Sequence, residues 1–189
     1  METDEKHNNY FVYFNFFVFS MLLLVMSSNF LVMFFGWELV GLSSYLLISF
    51  WSKKPAAAKA GNKAFILNRV GDFGFLIGIF IMFAYTGSIN LSDIFNFFTI
   101  ENQTKLASFK IEEIICFFLF VGAMGKSAQI FLHTWLPDAM EGPTTVSALI
   151  HAATMVKAGV FLVARAFPLI VYSPDTALYI AVTGGLTAL

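Results

Sequence analysis

Residues 125–165 read GKSAQIFLHTWLPDAMEGPTTVSALIHAATMVKAGVFLVAR, and this stretch decides the fold. It is apolar enough to lie in a membrane, yet it holds Lys126, Lys157, His151 and the prolines Pro137 and Pro143. A lipid-facing helix excludes such residues. Each is costly in hydrocarbon and usually faces a bundle interior or a water-filled path. The stretch therefore predicts positions that pass protons or ions, housed by the rest of the chain.

Working outward, the whole chain supports a membrane setting. Of its 189 residues 58% are hydrophobic and 12% charged, with a mean hydropathy of +0.77. Soluble domains carry about a quarter charged residues. Long apolar runs with polar joints predict an all-α polytopic bundle in a lipid bilayer. A single cysteine, Cys116, excludes an internal disulfide and a multi-cysteine metal site. A net charge of −1 gives no footprint for nucleic acid. Residues 1–9 form a polar leader without the small-residue cleavage site of a signal peptide.

The transmembrane domain, 10–189, divides into spans at about 10–26, 30–51, 64–85, 112–132 and 144–168, with the start of a sixth at 178–189. The segment SKKPAAAKAGNK, residues 52–63, has four lysines and no acid, so it marks the cytoplasmic or matrix side. Alternation puts the amino terminus and the joint 133–143 on that side. The polar connection 86–111, with a short interfacial helix over 88–98, falls on the other. Gly71, Gly74 and Gly78 form a small-residue row that lets a neighbouring helix approach. Pro137, Gly142 and Pro143 predict that one helix is broken near Leu132–Pro143, since proline removes an amide donor. Backbone of that kind survives at membrane depth only when buried in protein or lining a cavity. Thr144 and Thr145 are the expected caps of the following helix.

Depth sharpens the candidates. At ~1.5 Å per residue across ~30 Å of hydrocarbon, Glu38, Asp72, Lys126, His151 and Lys157 all fall in the central third of the bilayer. Each has a bland reading: a structural Glu38–Lys126 pair, Asp72 bonded to Asn68, a neutral core His151, or Lys157 on an aqueous vestibule. Five such groups in one apolar chain favour function over coincidence. Desolvation disfavours a lysine's charged form and a nearby carboxylate restores it, so a Glu38–Lys126 pair suits proton uptake and release. Histidine titrates near neutrality and suits the next step. On unbroken helices Lys126, Gln129 and His133 share one face, and His151, Thr154 and Ala158 share another. Together they predict a polar line from Lys126 to His151. Arg69 and Arg165 sit nearer helix ends and snorkel.

Three segments carry a resemblance: FFGWELVGLSSYLLISFW, NKAFILNRVGDFGFLIGIF, and the 125–165 stretch with DAMEGPT followed by VSALIHAATM. In this order they resemble the chain 5 family of respiratory complex I, the proton-pumping NADH:ubiquinone oxidoreductase, from about Phe11 onward. The resemblance implies half of an antiporter-like fold with inverted five-helix repeats and one broken helix per repeat. It implies that Glu38 and Lys126 form the proton-translocating pair, with Asp72 near it and His151 leading onward. It implies no cofactor in this chain, with NADH, FMN, iron–sulfur clusters and ubiquinone bound elsewhere in the complex. The partners implied are other membrane-arm subunits, including a chain that supplies the missing helices.

Family members are several hundred residues long, and this chain resembles only their first repeat. A split gene or a fragment accounts for that, and Met1 with its polar leader favours the split gene. Lys157, in MVKAGV, stands where the family leads one to expect a small or neutral residue. It either pairs with an acid on the missing part or adds a site to the relay. The expected function is proton translocation across the mitochondrial inner membrane, as a subunit that holds no redox chemistry itself. A Mrp-type cation/proton antiporter subunit of a bacterial plasma membrane, and a scaffold without its own proton path, are the alternatives.

Overall fold

A computed structural model describes residues 6–104 and 111–189, apart from the side chains of residues 100–104, 151 and 152. Among the described residues every regular element is helical, and the β pairing is an isolated bridge between Asn29 and Asn90.

Helices α1 (His7–Met26) and α2 (Phe30–Ile48) form an antiparallel pair. The Asn29 carboxamide starts α2, accepting from Leu31 N at 2.7 Å and Val32 N at 3.3 Å. Those amides have no partner within the helix, and capping them fixes where it begins. Helix α3 (Pro55–Thr86) is 32 residues long and starts well before residue 64. Pro55 fits a first helical turn, and the alanines that follow favour helix where a loop was expected. At ~1.5 Å per residue α3 exceeds the ~30 Å hydrocarbon thickness, so its first turns, with Lys59 and Lys63, extend beyond the apolar layer. It stops at Gly87, whose φ of 70° is left-handed and whose N–H reaches Phe83 O at 2.8 Å. Helix α4 (Leu91–Thr104) follows, longer than the expected 88–98 segment. Asn90 and Ser88 donate to Asp93 at its start and hold that carboxyl below the usual carboxylate range.

Helix α5 (Ile111–Lys126) lies along the α3 glycine row. A Cβ added at Gly74 would sit 2.6 Å from Val121 Cγ1, and one at Gly122 would sit 2.7 Å from Phe75 Cβ. The two backbones are therefore as close as the absence of side chains allows.

The break falls earlier than the prolines suggest. The helix ends at Lys126, and Ala128 (φ 47°) and Phe131 (φ 76°) take left-handed backbone before α6 (Trp135–Asp138) and a 3-10 turn (Ala139–Glu141). Pro137 lies inside α6 and breaks nothing, because a first-turn amide has no helical acceptor to lose. Gly142 and Pro143 are extended, and a Cβ at Gly142 would lie 3.2 Å from Ile48 Cα at the end of α2. The stretch 144–168 is not one helix. It runs as α7 (Thr144–Ser147), a π turn (Ala148–Ala153) and α8 (Met155–Arg165) and enters α9 (Phe167–Ile170), and α10 (Pro174–Ala188) follows beyond it. Neither threonine caps α7. Thr145 Oγ1 instead bonds the Tyr10 hydroxyl at 2.6 Å.

By length and composition four described segments can cross a membrane: His7–Met26, Phe30–Ile48, Pro55–Thr86 and Thr144–Arg165. The described part of α5 has 16 residues and ends at Lys126. The helix ends assort into two sets. The Asn29–Asn90 bridge and the Arg165 Nη2 bond to Ser27 O (3.1 Å) gather one set. Lys63 Nζ to Asp138 Oδ2 (2.7 Å) and Lys6 Nζ to Ser52 Oγ (3.4 Å) gather the other.

Overfilling this contact has a defined cost. Gly74→Leu is expected to destabilise the chain by about 1–3 kcal/mol, and Gly74→Ala by less, through collision with Val121. A thermal melt in detergent by circular dichroism checks this, and an unchanged midpoint for Gly74→Leu would contradict the close packing.

Candidate functional site

The site is built where α2, α3 and the end of α5 meet. Lys126 is the last residue of α5, and its side chain is completely buried. A cation at a helix C-terminus is favoured by the partial negative charge of the unsatisfied carbonyls there. Its Nζ lies 3.4 Å from both carboxylate oxygens of Asp72, which is itself 3% exposed. Trp37, on α2, donates its indole N–H to Asp72 Oδ1 at 2.7 Å, and the Lys126 ammonium sits 5.8 Å from the Trp37 ring centre. Asp72 is thus held by two donors, and Lys126 by a carboxylate and a ring face.

Gly41 makes the room. A Cβ there would lie 2.8 Å from Lys126 Nζ and 3.9 Å from Asp72 Oδ2. Trp37 and Gly41 are one turn apart on α2, so the same helix face supplies the donor and the gap. Composition gives no reason to single out either residue. The usable signal was a small residue four positions after a tryptophan, beside an intramembrane acid.

Glu38 is not on Lys126 in this structure. It forms an ion pair with Arg69 of α3, whose guanidinium also lies 4.9 Å from the Phe65 ring centre. Arg69 therefore does not simply snorkel. Arg69 and Asp72 are three residues apart on α3, so the Glu38–Arg69 pair between α2 and α3 and the Asp72–Lys126 pair between α3 and α5 lie about one turn apart along α3. Nor does Asp72 bond Asn68, whose Nδ2 donates to Ala64 O at 2.8 Å.

The break after Lys126 changes the expected polar line. Gln129 and His133 lie beyond the end of α5, so the shared helical face with Lys126 does not exist. Gln129 Oε1 is buried without a hydrogen-bond partner among the described residues, and His133 is exposed. The carbonyls freed at the end of α5 are taken up locally. Gly125 O accepts the Trp135 indole N–H at 3.1 Å, and Ser127 N still reaches Ala123 O at 2.9 Å. Ser127 Oγ ties the break to α8 by donating to Val156 O at 2.7 Å. In the π turn the spacing of His151, Thr154 and Ala158 is likewise lost. Thr154 gives both its N–H (3.0 Å) and its hydroxyl (2.9 Å) to Leu149 O. The side chain of His151 lies outside the described residues. Lys157 is exposed, on the side of α8 that faces α1.

The sequence matches the family described as NADH:quinone oxidoreductase/Mrp antiporter, transmembrane, over residues 27–189. The chain belongs to this family. It is 54% identical over 190 aligned residues to NADH-quinone oxidoreductase subunit L of Rickettsia felis, a match covering 100% of this chain and 30% of that one. With subunit L of Rhodobacter capsulatus it shares 55% identity, covering 95% of this chain and 26% of the relative. NAD(P)H-quinone oxidoreductase subunit 5, chloroplastic, of Fagopyrum esculentum subsp. ancestrale is 52% identical, covering 99% of this chain and 25% of the relative. Among solved structures, the Mrp complex from Dietzia sp. DQ12-45-1b superposes with a TM-score of 0.70 at 31% identity, over 80% of this chain and 16% of that one. The chain thus spans less than a third of the length of the curated relatives it matches. The helical fold is that of part of an antiporter-like subunit.

A buried ion pair separates stability from chemistry. Removing one partner leaves an unpaired charge, so Asp72→Leu is expected to cost about 3–5 kcal/mol, while Asp72→Leu with Lys126→Met recovers most of that loss. Unfolding free energies of the three variants in detergent test this. A double variant no more stable than Asp72→Leu would contradict the pairing.

Proposed function

We propose that this chain supplies a proton-transfer site to the membrane arm of an NADH:quinone oxidoreductase. The observation that carries the reading is the fully buried Lys126 ammonium held by Asp72, with a second ion pair, Glu38–Arg69, one turn away. In this reading Lys126 takes up and releases the proton. Asp72 is its counter-ion, and Trp37 keeps Asp72 in place. Glu38 and Arg69 are the neighbouring pair whose rearrangement moves the balance. If Arg69 turns from Glu38 toward Asp72, three residues along the same helix, the carboxylate is shared with a second cation. A buried ammonium that loses its counter-ion favours the neutral amine, and its proton leaves. Glu38, freed of Arg69, then becomes an acceptor. His151 is the proposed next station, with Gln129, His133 and Thr154 as supports of the break.

NADH, FMN, iron–sulfur clusters and ubiquinone belong, in this reading, to other subunits, and the redox chemistry with them. The missing helices come from another polypeptide of the complex or from a longer form of this one. The membrane is the mitochondrial inner membrane, or a bacterial plasma membrane. The Dietzia Mrp likeness favours one second reading, a subunit of a cation/proton antiporter. In that reading the same pair exchanges protons against sodium. The higher identity to quinone oxidoreductase subunits supports the first.

Lys126→Ala in the assembled complex tests the proposal. Proton pumping per NADH oxidised is expected to fall severalfold while the complex still assembles. Unchanged pumping in an intact complex would reduce the chain to a scaffold, and sodium-dependent pumping would favour the antiporter.

A further inference from the structure

A groove of about 450 Å3 runs between α1 and α8. Phe17, Met21 and Val25 line it from α1, and Ala153 and Ala158 from the opposite wall. Its single charged lining residue is Lys157, which makes no ion pair or hydrogen bond with any described residue. Lys157 stands eight residues before Arg165, whose side chain is already anchored at the Ser27 carbonyl. Eight residues of helix rise ~12 Å. In the bilayer placement proposed above, that puts the Lys157 backbone well inside the ~30 Å hydrocarbon layer. An unpartnered cation at that depth is costly, and extending its stem toward the interface relieves only part of the cost.

Three features say what relieves the rest. The groove follows the helix axes over more than two turns of α1, from Phe17 to Val25. Its wall opposite α1 includes two alanines, Ala153 in the π turn and Ala158 in α8, between Leu149 and Phe161, and alanine is a residue type that lets transmembrane helices approach closely. Its only charge is positive. A phospholipid phosphate stays at the interface, whereas backbone exposed at membrane depth is a helix. We propose that this groove seats a transmembrane helix carrying a carboxylate level with Lys157, making Lys157 an assembly contact and not a station of the proton path. The proposal rests on the membrane placement proposed above, and not on the role of Lys126.

The test uses native membranes that contain the assembled complex. A lipid-soluble carbodiimide joins a carboxyl to an amine in direct contact, and peptides bearing Lys157 are then read by mass spectrometry. The expected product links Lys157 to an Asp or Glu within an apolar segment of about 20 residues, and it is absent from Lys157→Met membranes. Lys157→Glu is expected to lower the assembled complex severalfold on native gels, and lysine at the linked acid is expected to restore it. Lys157 recovered unlinked would overturn the proposal. So would a phospholipid retained in native mass spectra and lost with Lys157→Met, which would assign the groove to an anionic lipid. The link is expected to persist in Lys126→Ala membranes, so this proposal and the proton-transfer reading stand or fall separately.

Discussion

One ammonium with no access to water governs this fold. Lys126 is fully buried, and a charge in that position persists only with a counter-charge and well-placed dipoles around it. Each requirement shapes a different helix. Asp72 must face inward from α3, so its neighbours Gly71 and Gly74 lack side chains and let α5 come within reach. The Trp37 indole must point at Asp72 from α2, and Gly41 one turn on must leave space for the ammonium. The close α3–α5 packing and the ion pair are one constraint seen twice, in the backbones and in the side chains.

The helix break follows from the same constraint. Ending α5 at Lys126 puts the negative end of its dipole on the cation, but it also leaves carbonyls without helical partners. The chain meets that cost with side chains already committed to packing. Trp135 donates to Gly125 O, and Ser127 bridges to α8 at Val156 O. The second irregularity, the π turn of Ala148–Ala153, is closed by both donors of Thr154 on one carbonyl. Irregular backbone at membrane depth is tolerated because each freed group named here finds a buried partner.

Much of this was legible in the sequence, and the remainder was hidden for identifiable reasons. Hydropathy marks apolar segments well, so α1, α2 and the all-helical class follow from composition alone. The alanines after Pro55 read as loop because their lysines masked a strong helix former. Pro137 and Pro143 announce that a helix cannot run through, but they do not say where it stops. The left-handed residues are Ala128 and Phe131, which carry none of the glycine signal that flags such backbone. Partner choice was equally hidden. Glu38 and Asp72 lie at similar depths on adjacent helices, so depth alone cannot decide which one Lys126 meets. The answer depends on Arg69, which takes Glu38, and on the gap at Gly41.

The central claim is that the Lys126 amine exchanges its proton during turnover. The most direct measurement inserts S-aminoethylcysteine at position 126 during synthesis of the chain, an amine of nearly the same length as lysine but weaker basicity. The pH dependence of proton pumping by the modified complex is then compared with that of the original. If Lys126 gives up its proton in the cycle, pumping returns with its pH profile displaced toward lower pH. If pumping returns with an unchanged profile, the lysine is only a structural charge.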